Sequence, residues 1–399
     1  MYTWSRTLLL LALLFVVISM LPVSCSIDKE PAGSVVEHPL PNLIAYHDRD
    51  HILIKKDQSF EELSNPSKGL IQLKNYLENP DIWRTEQFGV TVNDASSLKM
   101  TAIGHDRFLI LDTGKDQLIE YNFLESRDEL VAGFGRGPGE LQHSIDLEYT
   151  GDYLYVARRD MRLSRFKCEF SKCIYDKTIL LDFQPISVAS TKSGLAMTTG
   201  VIIGRDDIVE KNSYIHFPAV ILIDRLDGHI IGEFGKIYDT RHLMVLAVFS
   251  RSGFVSYITE LERYIYVNSW FPFVYVYDDD FKLEETYKLE NYIQNKFEFF
   301  PKKKRRRFPI REHTLISEIK AMENGHILLV TTTQKNQQLE LGDTVYDYTY
   351  DYYVIDHMNR KVIFLGTEEK TSNYRSMVLP VQNALIKNDG GVLYRLIKY

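Results

Sequence analysis

Six times along this chain a short turn of Gly, Asp, Asn or Glu is followed at once by a strongly apolar strand, and that recurrence constrains the fold more than any other feature. The pair reads Ile103-Gly104-His105-Asp106 before Arg107-Phe108-Leu109-Ile110-Leu111, then Thr150-Gly151-Asp152 before Tyr153-Leu154-Tyr155-Val156. It returns at Ser193-Gly194 before Leu195-Ala196-Met197, at Glu260-Leu261-Glu262 before Arg263 to Val267, at Asn324-Gly325 before His326 to Val330, and at Asp389-Gly390 before Gly391 to Tyr394. Hairpins rich in Val, Ile, Tyr and Phe complete five of the units, near residues 118–135, 165–179, 220–235, 274–287 and 353–365. Few segments after residue 85 have a long 3.6-residue period, so the chain is all-β.

Repeated four-stranded units with little else point to a six-bladed β-propeller. Its inner strands are expected near 98–103, 144–149, 185–190, 253–258, 315–321 and 382–387. Only five outer hairpins are found, so the sixth unit lacks two outer strands and would expose a sheet edge. Closure by the N-terminal segment solves this, with His51–Lys55 and Phe88–Thr91 as candidate strands. Between them Leu70, Leu73 and Leu77 recur at helical spacing, which predicts one short helix over Gly69–Leu77 that covers the closing blade. The expected organisation is a leader over 1–24, a tether over 25–42 and the propeller over 43–399, with closing strands and helix in 43–95.

The leader follows from Arg6 ahead of an apolar run from Leu8 to Leu21. That run is shorter than the roughly 20 residues a bilayer span needs, and so fits a secretory signal core. Leu21-Pro22-Val23-Ser24-Cys25 resembles a bacterial lipobox, which marks Cys25 for acylation and makes the membrane a partner through a lipid anchor. An incidental Cys after a plain secretory signal is the alternative. The polar stretch through Pro41 suits a tether.

Net charge is −7 and the pI about 5.9, so neither nucleic acid nor an anionic membrane surface is expected as a global partner. Cys168 and Cys173 flank a hairpin-length loop and would pair as a disulfide in an oxidising compartment; two reduced thiols are the alternative, and a zinc site would need more Cys or His than the spacing offers.

At Phe134-Gly135-Arg136-Gly137-Pro138-Gly139-Glu140 the chain resembles the blade-linking loop of the six-bladed propeller lipoproteins of Bacteroidota, relatives of the NHL and TolB-like propellers. The resemblance extends through blade spacing over roughly residues 96–399. It implies the fold and a location in the bacterial cell envelope, as an outer-membrane lipoprotein facing the periplasm or the exterior. It implies no reaction.

Within a four-stranded blade, the link to the next blade and the link between second and third strands open on one face, which we call the linker face. The long segments 199–217, 236–252, 290–314, 332–346 and 367–381 all belong to that face, whereas the turns of the opposite face are short. Such one-sided insertion marks a binding face. The Gly-rich loop, with Arg136, Gly137, Gly139 and Glu140, offers backbone N–H groups to an anion, or is simply a tight turn. Lys302-Lys303-Lys304-Arg305-Arg306-Arg307 is a solvated cationic run; Lys303, Lys304, Arg305 and Arg306 are candidate contacts for an anionic envelope polymer, with a glycan or a protein as the other partner classes.

His143, His216, His242 and His313 fall in or beside these segments and are the weak candidates for a divalent metal, as a metal-dependent lyase or hydrolase would need. Their spacing is irregular. Tyr346, Tyr348, Tyr350 and Tyr352 alternate on one strand face, either to stack on sugar rings or to pack within the ring of blades. No Gly-x-Ser-x-Gly, Walker loop or His-Glu-x-x-His occurs. The reading is a binding module rather than an enzyme, without a cofactor.

Overall fold

The computed structural model describes residues 36–37, 51–91, 98–104, 106–169, 172–200, 218–235, 252–293, 298–300, 305–307, 312–338, 344–372, 376–381, 384–389 and 392–398. The leader, Cys25 and most of the tether lie outside them. Two compact units result: Met1–His38 with Phe297–Pro309, and Pro39–Lys296 with Ile310–Tyr399. In the smaller one, Val36–Glu37, Glu298–Phe300 and Arg305–Arg307 form a three-stranded antiparallel sheet in which Phe299 pairs with Val36 and with Arg306.

The larger unit is a ring of six antiparallel blades. Blade 1 runs Leu98–Ala102, Arg107–Asp112, Gln117–Asn122 and Arg127–Ala132, and blade 2 runs Ser144–Tyr149, Tyr153–Arg158, Arg162–Cys168 and Cys173–Leu180. Blade 3 comprises Gln184–Ser190, Leu195–Gly200, Val220–Ile223 and Ile230–Phe234; blade 4 comprises Gly253–Ile258, Arg263–Asn268, Phe273–Tyr277 and Leu283–Leu289. Blade 5 is the longest, with His313–Ala321, His326–Gln338, Thr344–Asp356 and Lys361–Ser372.

Second strands of the blades are covered on both faces by neighbouring blades, so they carry nearly unbroken apolar runs in place of alternation. Leu109, Ile110, Leu111, Ile265, Val267, Leu328 and Leu329 are all fully buried. Fourth strands lie on the outer wall and are less buried than the second, with Arg127–Ala132 largely exposed. The core therefore consists of layers between blades; that between blades 4 and 5 joins Ile258, Ile265 and Val276 to Ile316, Ile327 and Leu329.

Blade 6 differs from the sequence expectation. Its inner strand is Ser376–Val381, followed by Ala384–Asp389 and Val392–Lys398, and the outer strand is Trp83–Thr91 from the N-terminal segment. The segment expected inside the ring, 382–387, is thus mostly second strand, and one N-terminal strand closes the blade where two were expected. The Asp389-Gly390 turn explains the shift, because it precedes the third strand of this blade, whereas the similar turns elsewhere precede the second strand. The other candidate, Ile52–Ile54, adds instead to the outer strand of blade 4, parallel to Tyr287–Leu289. The segments 332–346 and 367–381, read as insertions, are largely strand as well.

The helix forms over Lys68–Glu78, with the Ser67 hydroxyl capping the Leu70 N–H. It buries Leu70, Leu73 and Tyr76 against Tyr348, Tyr350, Tyr352, Leu365, Val378 and Leu385 of blades 5 and 6. The alternating tyrosines are therefore packing residues, with Tyr350 and Tyr352 fully buried.

Candidate functional site

The inner strand of each blade is a sheet edge, so half of its backbone N–H groups face the ring axis without a ladder partner. Side chains of the preceding blade supply partners. Asp146 Oδ2 accepts from the Val188 N–H at 2.9 Å, and Glu148 Oε1 accepts from the Ser190 N–H at 2.9 Å. The spacing of two on both strands is what one sheet face requires. Ser187 Oγ accepts from the Val255 N–H at 3.4 Å and Ser256 Oγ from the Ala321 N–H at 2.8 Å, carrying the same latch around to blade 5.

These strands enclose a central channel of about 310 Å³ with walls from all six blades. Five acidic or basic side chains line it: Lys99, Asp146, Glu148, Glu318 and Lys320. Lys99 Nζ lies 3.7 Å from Asp146 and 5.2 Å from the centre of the Phe254 ring. Burial opposes its charge, but the Asp146 and Glu318 carboxylates hold the ammonium above its ordinary value. Lys320 donates to the Pro380 carbonyl at 2.9 Å, and burial pulls it below the usual lysine range. Burial pushes the Glu148 carboxyl up to about 7 against the opposing pull of the Ser190 N–H, and it raises the Glu318 carboxyl too.

None of these five side chains was singled out from sequence. The signal was the polar pair at i and i+2 inside otherwise apolar inner strands, Asp146 with Glu148 and Glu318 with Lys320. A pattern of that kind reads as solvent-facing until the ring is closed.

The Gly-rich loop lies between blades 1 and 2. Its own Glu140 occupies the place an anion would take, since Oε2 accepts from the Gly137 N–H at 2.6 Å and a Cβ on Gly135 would collide with the same carboxylate. Arg136 donates to Gln142 at 3.0 Å. Gly139 holds φ +80 against Tyr175, and Phe134 bridges to the fully buried Leu141.

Cys168 and Cys173 are register partners at the end of a hairpin and are joined as a disulfide. Of the basic run, Arg305–Arg307 forms a strand of the smaller unit, while Lys302, Lys303 and Lys304 lie outside the described residues. His216 and His242 lie outside them too. His143 is exposed ahead of the inner strand of blade 2, whereas His313 is buried at the start of that of blade 5 and stacks on Trp270 at 6.4 Å. Among the described residues the groups close enough to share a metal are Asp224, Asp227 and His229 on an exposed turn of blade 3, and no sequence-predicted histidine belongs to them.

The chain is a six-bladed β-propeller. No family model and no curated protein matches it. Among solved structures it is similar to a member of the DUF4221 family from Bacteroides vulgatus, at 10% identity and TM-score 0.50, over 79% of this chain and 97% of that one. It also resembles the streptogramin B lyase structure, at 8% identity and TM-score 0.45 over 79% and 98% of the two chains. A protein of unknown function from Bacteroides thetaiotaomicron matches at 9% identity and TM-score 0.42, over 78% and 72%. At such identities the likeness concerns the propeller fold, which supports unrelated activities.

Proposed function

We propose that this propeller is a binding module of the bacterial cell envelope, held to the membrane by a lipid on Cys25, whose linker face receives an anionic envelope polymer. The observation that carries the reading is the one-sided distribution of chain. Segments 133–143, 201–219 and 235–252 all connect strands on the linker face, whereas the strand-to-strand turns of the opposite face are no longer than 224–229. Length added to one face of a repeat ring serves recognition, because the blades themselves do not need it.

The partner class comes from the cationic run at Lys302–Arg307, which follows blade 4 in a chain of net charge −7. A local field opposite in sign to its surroundings steers polyanions. The test is an array of acidic glycans and lipids probed at low and at high salt. Binding should weaken with salt and be lost when Lys303, Lys304, Arg305 and Arg306 become Ser. Binding that ignores both changes would remove the polyanion from the reading and leave a neutral glycan or a protein partner.

A further inference from the structure

Between the helix Lys68–Glu78 and blade 6 lies a cleft of about 350 Å³, at the end of the blade where Trp83 pairs with Lys398. That end is the one away from the linker face. Leu385 and Leu396 are register partners on the sheet face that packs on the helix, and they give the cleft its apolar surface. Two other lining residues carry a buried polar atom that meets no hydrogen-bond partner among the described residues: the Trp83 indole Nε1–H and the Gln72 Oε1. Both work against folding, because their hydration is given up and no bond within the protein replaces it. The indole is also held where it is. Tyr76 meets it edge-on at 6.2 Å, and the Tyr76 hydroxyl is itself fixed by donating to Glu368 at 3.2 Å and accepting from Lys387 at 3.3 Å.

An indole nitrogen only donates, so a guest must bring it an acceptor, whereas the Gln72 oxygen takes a donor. A hydroxyl offers both, and it satisfies the Gln72 amide in either orientation of that group. Charged guests fit worse. Among the described residues no acidic side chain lines the cleft, so an ammonium would have no counter-ion there. Of its two basic residues, Arg395 directs its guanidinium to Asp106 and Phe123 of blade 1, and Lys398 is exposed to solvent, where a carboxylate would gain little. The cleft also lies on the face of the sheet and not along a free edge, which favours a compact body over an added peptide strand.

We propose that this cleft is a binding site for a neutral sugar, free or at the end of a glycan, whose hydroxyls accept from Trp83 Nε1 and donate to Gln72 Oε1 while its C–H surface meets Leu385 and Leu396. The volume of about 350 Å³ lies at the small end of ligand cavities, which span roughly 300–1,000 Å³, so the cleft takes a single sugar ring. The site is separate from the linker face and its basic run. Binding of a neutral ligand here is indifferent to salt, so failure of polyanion binding there leaves it untouched.

The experiment is calorimetric titration of the purified protein, at low and at high salt, with glucose, galactose, mannose, fucose and N-acetylglucosamine. Cyclohexanol, with one hydroxyl on a similar ring, and N-acetylglycinamide, with the hydrogen-bonding groups of a peptide, serve as contrasts. At least one sugar should bind saturably at both salt concentrations, with both contrast compounds at least about tenfold weaker. Trp83→Phe removes the indole N–H and Gln72→Leu the amide, and each should lower affinity for that sugar by about tenfold or more. Absence of binding by every sugar, which would mean that water alone fills the cleft, would overturn the proposal. So would equal or tighter binding of either contrast compound, or unchanged affinity in either variant. The comparison of ligands needs no variant, so it stands whether or not Trp83→Phe and Gln72→Leu fold.

Discussion

Glu148 of blade 2 accepts the backbone N–H of Ser190 of blade 3 at 2.9 Å, across a junction where neither inner strand has a ladder partner to offer. Arg225 reinforces the junction by donating to the Ser190 hydroxyl at 3.1 Å. The ring is thus held at its axis by side chain to backbone bonds as well as by the apolar layers farther out. A latch built on a carboxylate has a consequence that a serine latch lacks, since it titrates.

In the folded protein the Glu148 carboxyl gives up its proton near pH 7, against 4.5 for the free side chain. Between those values the folded state holds a proton that the unfolded state has lost, so this group's contribution to stability declines as pH rises through the window and is level above it. The decline is at most about 3 kcal/mol. Urea unfolding of the wild type and of Glu148→Gln at about pH 5 and about pH 8 should show a smaller pH difference in the variant. An identical pH slope in both would remove Glu148 as its source.

Gly139 combines φ +80 with a tight approach, because an added Cβ would lie 3.1 Å from the Tyr175 Cβ. Gly139→Ala should cost about 1–3 kcal/mol. Gly133→Ala in the same loop meets its nearest atom, Leu130 Cδ2, at an ordinary 3.7 Å and should change stability by less than about 1 kcal/mol. Melting temperatures of the two variants measure the contrast, and equal shifts would mean that loop strain does not matter.

The sequence made five blades legible for a physical reason. Their second strands are buried on both faces, so Phe108 to Leu111 and Ile327 to Val330 read as apolar runs closed off by turns. Blade 6 was shifted because its Asp389-Gly390 turn leads into the third strand, Val392–Lys398, where the similar turns of the other blades lead into the second. The period of the tyrosine run was visible, but its cover by the helix Lys68–Glu78 depends on contacts nearly three hundred residues apart, as with Tyr76 and Glu368 at 3.2 Å. The channel charges were the least visible. Local pattern cannot distinguish a carboxylate that faces water from one that faces the N–H of another blade.

The proposed acylation of Cys25 would have a direct consequence for location. A lipid anchor contributes roughly 0.8 kcal/mol per buried methylene, and several chains together make release negligible. Cys25→Ser should therefore move the protein from the membrane fraction to the soluble one while leaving its unfolding curve unchanged. Retention in the membrane fraction would transfer the anchoring role to the apolar segment Leu8–Leu21.

Ring closure rests on a strand that precedes blade 1 in the chain and pairs with the last strand of blade 6. Trp83–Thr91 lies antiparallel to Val392–Lys398, with Lys398 opposite Trp83 and Val392 opposite Thr91. Phe88 from that strand is fully buried and meets Phe108, Tyr121 and Phe123 of blade 1 at ring centroid distances of 5.8, 5.0 and 4.4 Å. It therefore fills the junction between the last blade and the first. Phe88→Ala should cost about 3–5 kcal/mol, as other large-to-small core changes do. Phe134→Ala, at a side chain 65% exposed, should cost less than about 1 kcal/mol. Deleting residues 391–399 removes the partner strand altogether and leaves Ala384–Asp389 as a bare edge, so that chain should aggregate rather than fold into a trimmed ring. Urea unfolding of the two Phe variants and size-exclusion chromatography of the truncated chain test these outcomes. A monomeric, cooperatively unfolding truncation would show that the ring does not need its closing pair.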